Sequence, residues 1–187
     1  MKKVIFIAGM SGGKRDMYII KKKLVGFEVI YFPYNVWLND SITKYSKELK
    51  RFIDRLKLKR GEKVGIIGIS AGGVIARYYL EFIDNKKVDK LVTVCSPFKG
   101  SYFTVLASFF LRKHKGIRDL RKDSKILKKI NRKKFNDIKE KNFYCILDIL
   151  IPGDSGKGLN PEHTWFFFHN IIHWWPPLIN KMRKFLE

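Results

Sequence analysis

The sequence predicts an α/β protein, a three-layer α/β/α sandwich on about six mostly parallel strands. Two observations lead there. Short runs that are apolar throughout, such as Val4-Ile5-Phe6-Ile7, recur along the chain, and segments with apolar residues three to four apart separate them. A strand apolar on both faces must be covered on both faces, which is what helices do to a parallel sheet.

The first strand is KVIFIAG (3–9), β-branched and aromatic and closed by glycine. Its setting, MKKVIFIAGMSGGK, resembles the start of a signal peptide, but the apolar run stops at Met10 and Lys14 and Arg15 follow. The run is short for a secretion signal and far too short to span a bilayer, so a buried strand is expected. Met17 to Val25 reads as a helix, and EVIYF (28–32) as the second strand. Ser41 to Leu58 is an amphipathic helix, with Ile42, Tyr45, Leu49, Phe52, Ile53 and Leu56 close to a 3–4 spacing. Strand KVGIIGI (63–69), helix Ala71 to Ile83 and strand KLVTVC (90–95) come next. After a long basic segment, NFYCILD (142–148) and TWFFF (164–168) read as the last strands, and Pro177 to Leu186 as a closing helix. No repeat or linker divides the chain, so one domain over 1–187 is expected, with a basic insertion at about 101–140.

Hydrophobic residues make up 45% of the chain, which excludes a disordered protein. Lys and Arg number 39 against 17 Asp and Glu, a formal charge of +22. Such a field attracts an anionic membrane face or nucleic acid. The basic residues are scattered, however: KKK at 21–23, KLKR at 57–60, and a loose spread from Arg112 to Lys141. Abundant Lys, Ile, Phe, Tyr and Asn is also what an AT-rich genome imposes. A solvated surface, a membrane-surface role and a nucleic-acid role therefore stand open, with nucleic acid the weakest. Cys95 and Cys145 lie in apolar runs without metal spacing and read as small core residues. Nothing in them points to an oxidising compartment, and a cytoplasmic protein is expected, with peripheral membrane contact open.

In parallel sheets the chemistry gathers beyond the carboxyl ends of the strands. The third strand ends in Gly68-Ile69-Ser70-Ala71-Gly72, followed by Gly73 and VIARYYLEF. This G-x-S-x-G pattern between a strand and a helix reads as a nucleophile elbow, with a plain Gly-rich βα turn as the alternative. The sharp turn presents the serine hydroxyl, and flanking glycines let strand and helix approach. The helix start aims its dipole and the Ala71 N–H at a developing oxyanion.

The stretch KVGIIGISAGGVIARYYLEFIDNKKVDKLVTVCSPFKGS resembles the elbow region of small lipase-type α/β-hydrolases. These include the minimal lidless bacterial lipases and the larger triacylglycerol and inositol-deacylase-like lipases. Their T-P-H-x-G-S-like turn corresponds to Cys95-Ser96-Pro97-Phe98-Lys99-Gly100-Ser101. The resemblance runs from the first strand to the C-terminus, is strongest around Ser70 and is weak over about 102–140. It implies a minimal α/β-hydrolase lacking the first two strands of the full fold, with sheet order 2-1-3-4-5-6.

The resemblance also implies that an acid and then a base follow the serine. Asp148-Ile149-Leu150-Ile151-Pro152, at the end of the fifth strand, is similar to the family's D-x-x-V-P pattern. Asp154, in the turn GDSGKG, is the alternative acid, and a solvated turn role suits it better. His169 follows TWFFF where the base should stand, and His173 is its rival or an aromatic-packed residue beside Trp174 and Trp175. His114 precedes the acid and His163 precedes the last strand, so chain order disfavours both.

The family's second oxyanion donor follows the first strand in an H-G-x motif. Ala8-Gly9-Met10 keeps the glycine but not the histidine, and a backbone N–H at Met10 still serves. Residues 8–14 also read A-x-x-x-x-G-K, close to a P-loop, but Arg15 stands where a Mg²⁺-binding Ser or Thr belongs.

The expected activity is that of a serine esterase or lipase, cleaving an acyl ester or thioester through Ser70, His169 and Asp148. Met10 and Ala71 supply the oxyanion donors, with no metal or cofactor. Residues 101–140, where the family varies by lid or acyl-binding wall, open with SYFTVLASFFL, either a membrane-surface element or a helix packed on the sheet with a solvated flank. An inactive α/β-hydrolase binding an anionic membrane or nucleic acid is the alternative.

Overall fold

Among the residues that the computed structural model describes, six strands form one sheet. Those residues are 1–10, 12–111, 113–130, 135–146, 148, 150, 151, 153–158, 160–164, 169 and 174–187. The strands are β1 (Lys2–Ile7), β2 (Phe27–Tyr31), β3 (Val64–Ile69), β4 (Val88–Val94), β5 (Lys139–Cys145) and β6 (Pro161–Thr164). Their order is β2-β1-β3-β4-β5-β6, as expected, and every neighbouring pair is parallel.

The continuous apolar runs are explained by two cores, one on each face. Ile5, Ile7 and Ile66 face one core; Val4, Phe6, Ala8, Ile67 and Ile69 face the other. The first is covered by α2 (Ile42–Arg55) and α3 (Ala71–Phe82), the second by α1 (Lys14–Lys23) and α8 (Pro176–Leu186). On α2 the buried stripe is Ile42, Tyr45, Ser46, Leu49 and Ile53, and Ser41 caps the helix by accepting from the Lys44 N–H at 3.2 Å. Each large aliphatic side chain buried this way stabilises the fold by about 1.5–3 kcal/mol. Three short helices, α4 (Tyr102–Phe110), α5 (Lys115–Asp119) and α6 (Lys125–Lys129), occupy the basic insertion. A further turn of helix, α7 (Gly153–Gly156), follows β5.

The last two strands each begin three residues earlier than expected. β5 starts at Lys139 and ends at Cys145, so Asp148 stands three residues beyond it rather than at its end. Charged Lys139-Glu140-Lys141 resembles the basic insertion in sequence, but Glu140 is drawn inward by the buried guanidinium of Arg77 on α3, which also takes Glu81 at 2.5 Å. The last described strand is 161–164, so His163 lies within it; residues 165–168 of the expected TWFFF strand fall outside the described residues. Pro161 opens β6 because an edge strand tolerates proline at its first position. Among the described residues no helix is long and apolar enough to cross a membrane.

Candidate active site

The elbow is built by backbone closeness. Ser70 has φ 50° and ψ −120°, a left-handed conformation that a serine adopts only at a cost of about 1–3 kcal/mol. Its N–H donates to Val94 O at 2.8 Å, which ties the turn to β4. A Cβ on Gly68 would lie 2.6 Å from the Gly73 Cα, and one on Gly72 would lie 2.3 Å from Ile7 O. Glycine is thus required on both sides of the serine. Gly9 is required too, since its Cβ would approach the Ser70 Cβ to 2.9 Å. Ser70 sits at the N-cap of α3, yet its side chain does not cap the helix.

That hydroxyl instead faces His169, whose Nε2 lies 3.1 Å from Ser70 Oγ. His169 Nδ1 lies 2.5 Å from Asp148 Oδ2. A carboxylate at Nδ1 makes that nitrogen the N–H donor and leaves Nε2 to accept the serine proton. Asp148 is buried, and its other oxygen accepts the N–H groups of Leu150 and Ile151, each at 2.9 Å. The Ser101 hydroxyl donates to Leu150 O, anchoring the acid loop to the turn after β4. The structure therefore brings Ser70, Asp148 and His169 together across three strand ends.

The other candidates lie elsewhere. Asp154 is exposed and paired with Lys157 at 2.9 Å, which holds its carboxyl below the usual range. His114 Nδ1 meets Trp37 O at 2.6 Å, and His163 is exposed, edge-on to Tyr144. His173 lies outside the described residues. At the P-loop-like stretch, Gly13 N–H donates to Asp16 Oδ2 at 2.8 Å, so the protein's own carboxylate stands where a nucleotide phosphate would bind.

Beside Ser70 opens a cavity of about 260 Å³, bordered by Met10, Ala71 and His169. Leu38, Ile117, Leu120 and Ile151 give it apolar walls. The loop carrying Met10 is held by Tyr34, whose buried hydroxyl donates to Ala8 O at 2.7 Å and whose pKa burial pushes well up. The wall residues were not singled out from sequence. Leu38 lies in an irregular stretch and adopts φ 59°; Ile117 and Leu120, three apart in the basic insertion, were the available signal.

Among the described residues, Cys95, Asp148 and His169 form the one group whose donor atoms could share a metal ion, all within 4.8 Å of one another. Two of those three groups already satisfy each other. Cys95 is further engaged with Cys145, Sγ to Sγ 3.0 Å; that hydrogen bond and burial raise the Cys95 thiol, while the same bond lowers Cys145.

Sheet order, elbow and cavity together define an α/β-hydrolase of the lipase type. The family model for palmitoyl protein thioesterase matches residues 35–145, a stretch that holds Ser70 and stops before Asp148 and His169. The chain belongs to that family of hydrolases. A search of curated proteins returns no match.

Solved structures show the same fold. Lipase BlEst2 of Bacillus licheniformis in its propeptide form aligns over 97% of this chain and 50% of its own, with TM-score 0.78 and 13% identity. The esterase of Exiguobacterium antarcticum aligns over 100% and 92%, TM-score 0.73 and 13% identity. Phospholipase PlaB of Legionella pneumophila aligns over 78% and 38%, TM-score 0.65 and 15% identity. The chain thus spans two-fifths to half the length of PlaB and of the BlEst2 propeptide form.

Proposed function

We propose that the protein is a serine hydrolase that cleaves an acyl ester or thioester through an acyl-enzyme. The observation that carries this reading is the continuous hydrogen-bonded line from Ser70 Oγ through His169 to Asp148. In this reading Ser70 attacks the carbonyl carbon while His169 Nε2 takes its proton, and Asp148 stabilises the imidazolium. The N–H groups of Met10 and Ala71 receive the oxyanion. His169 then returns the proton to the departing alcohol or thiol, and water activated by the same nitrogen releases the acid.

The apolar cavity fits a short to medium acyl chain, since its volume lies just below the range that holds drug-sized ligands. The family's own name extends the proposal to thioesters. Peripheral contact with an anionic membrane belongs to the same reading: Leu106 and Phe110 stand exposed one turn apart on α4, in a basic segment.

A fluorophosphonate probe tests the nucleophile. Peptide mass spectrometry should find the label on Ser70 alone, and none in Ser70→Ala. A folded protein that takes no label would overturn the reading in favour of a non-catalytic binder. A matched ester and thioester series then ranks the leaving groups.

A further inference from the structure

A second, larger depression lies against the wall of the acyl cavity. It measures about 680 Å³ and is lined by Lys99, Arg121, Lys122 and Lys128, with Asp123 and Asp154 among them. Ser101 borders both spaces. Elsewhere adjacent residues straddle the partition: Thr104 and Leu120 line the cavity, while Val105 and Arg121 line the cleft. The partition is firm, because the Thr104 hydroxyl donates to Ser101 O at 2.6 Å or to Leu120 O at 3.0 Å. Ser155 donates to Gly100 O, and Lys99 N–H donates to Ser155 O at 3.2 Å.

The charges in the cleft do not cancel. Asp123 is neutralised by Arg121 at 3.1 Å, and Asp154 by Lys157 at 2.9 Å from outside the lining. Lys99 and Lys128 influence these carboxylates only through the field, and among the described residues neither forms a salt bridge. Two exposed ammonium groups thus surround an opening one wall away from the nucleophile. The shared Ser101 joins this cleft to the apolar cavity that holds Ser70.

We propose that the cleft receives a phosphate group on the leaving-group side of the substrate, so that the favoured substrates are acyl esters of phosphorylated alcohols. The proposal rests on the Ser70 reading for the placement of the acyl chain. Lys99 and Lys128 give the phosphate its counter-charges.

The test compares two esters that differ only in the phosphate: monobutyrin and 1-butyryl-glycerol 3-phosphate. Wild type should favour the phosphorylated ester about tenfold in kcat/KM at low ionic strength, the preference shrinking with salt. The double variant Lys99→Glu/Lys128→Glu should abolish or invert that preference. Equal rates on both esters in wild type, or a variant that slows both alike and keeps the preference, would overturn the proposal. Inorganic phosphate should compete with the phosphorylated ester; phosphate binding without any ester preference would make this a free-phosphate site and also overturn it. If neither ester is cleaved, the Ser70 reading is judged separately by the fluorophosphonate label. The cleft is then judged by calorimetric binding of the phosphorylated ester, which Lys99→Glu/Lys128→Glu should abolish and whose absence in wild type would refute it.

Discussion

Ser70 and the two side chains lined up with it are held in place by opposite means. Around Ser70 the structure is determined by backbone contact: Gly9, Gly68 and Gly72 leave no room for a Cβ, and the serine's own N–H is tied to β4. Around Asp148 and His169 side-chain hydrogen bonds fix the geometry, and the acid does two tasks with its two oxygens. One oxygen orders the loop through the Leu150 and Ile151 N–H groups, and the other turns the imidazole. An elbow fixed by sterics cannot be altered without straining the fold. A loop fixed by a carboxylate can be altered chemically while its shape survives.

Substitutions sharpen this contrast. Ser70→Ala should reduce turnover of any ester by about a millionfold, to the level of binding and oxyanion stabilisation alone, with the circular dichroism spectrum unchanged. Asp148→Asn should cost about 10⁴-fold in kcat by favouring the wrong imidazole tautomer, while the melting temperature moves little, because Oδ1 still accepts both N–H groups. Asp148→Ala should lose the same activity and also about 1–3 kcal/mol of stability in urea for each N–H left without an acceptor. If Asn and Ala destabilise equally, the carboxylate does not order the loop.

At the elbow, Gly72→Ala should lower stability by about 1–3 kcal/mol and activity together, since β1 must retreat from the new methyl group. A variant that keeps its stability would break the steric half of the comparison. The smallest effect belongs to Glu162 on β6, gripped by Lys141 at 2.6 Å and Lys181 at 2.7 Å. Burial raises its pKa, but the two lysine hydrogen bonds outweigh this and hold it below its ordinary 4.5. The stability it contributes is full above the unfolded value and lost as pH falls through the lowered one. Glu162→Gln should therefore cost under about 1 kcal/mol at pH 7 and nothing once the wild-type carboxyl is protonated, as urea titrations at the two pH values would show.

The same contrast explains what could be read from the sequence. The elbow is a local object, six residues whose spacing states its geometry, so Ser70 and its flanking strands are legible directly. Asp148 and His169 depend on where distant strands end, and only the resemblance to lipase-type hydrolases pointed to them. The boundaries that misled were those where charge is structural. Lys139-Glu140-Lys141 looks solvated until Arg77 is known to lie opposite, and Pro161-Glu162-His163 looks like a loop until it is seen as an edge strand. The cavity wall was illegible for a related reason: Leu38 and the Ile117–Leu120 pair come from two distant segments, and nothing short of the packed structure makes them neighbours.

Strand order carries a consequence for time. β3 and β4, which tie the Ser70 N–H to Val94 O, are joined by residues 70–87, whereas β4 and β5 are neighbours separated by the whole of residues 95–138. Bringing distant segments together is entropically late, because a long loop must close before any contact rewards it. In pulse-labelled refolding, the amides of β3 and β4 should be protected before those of β5 and β6. A half-folded chain therefore already presents a shaped but idle serine, and competence arrives only with the last strands to join the sheet.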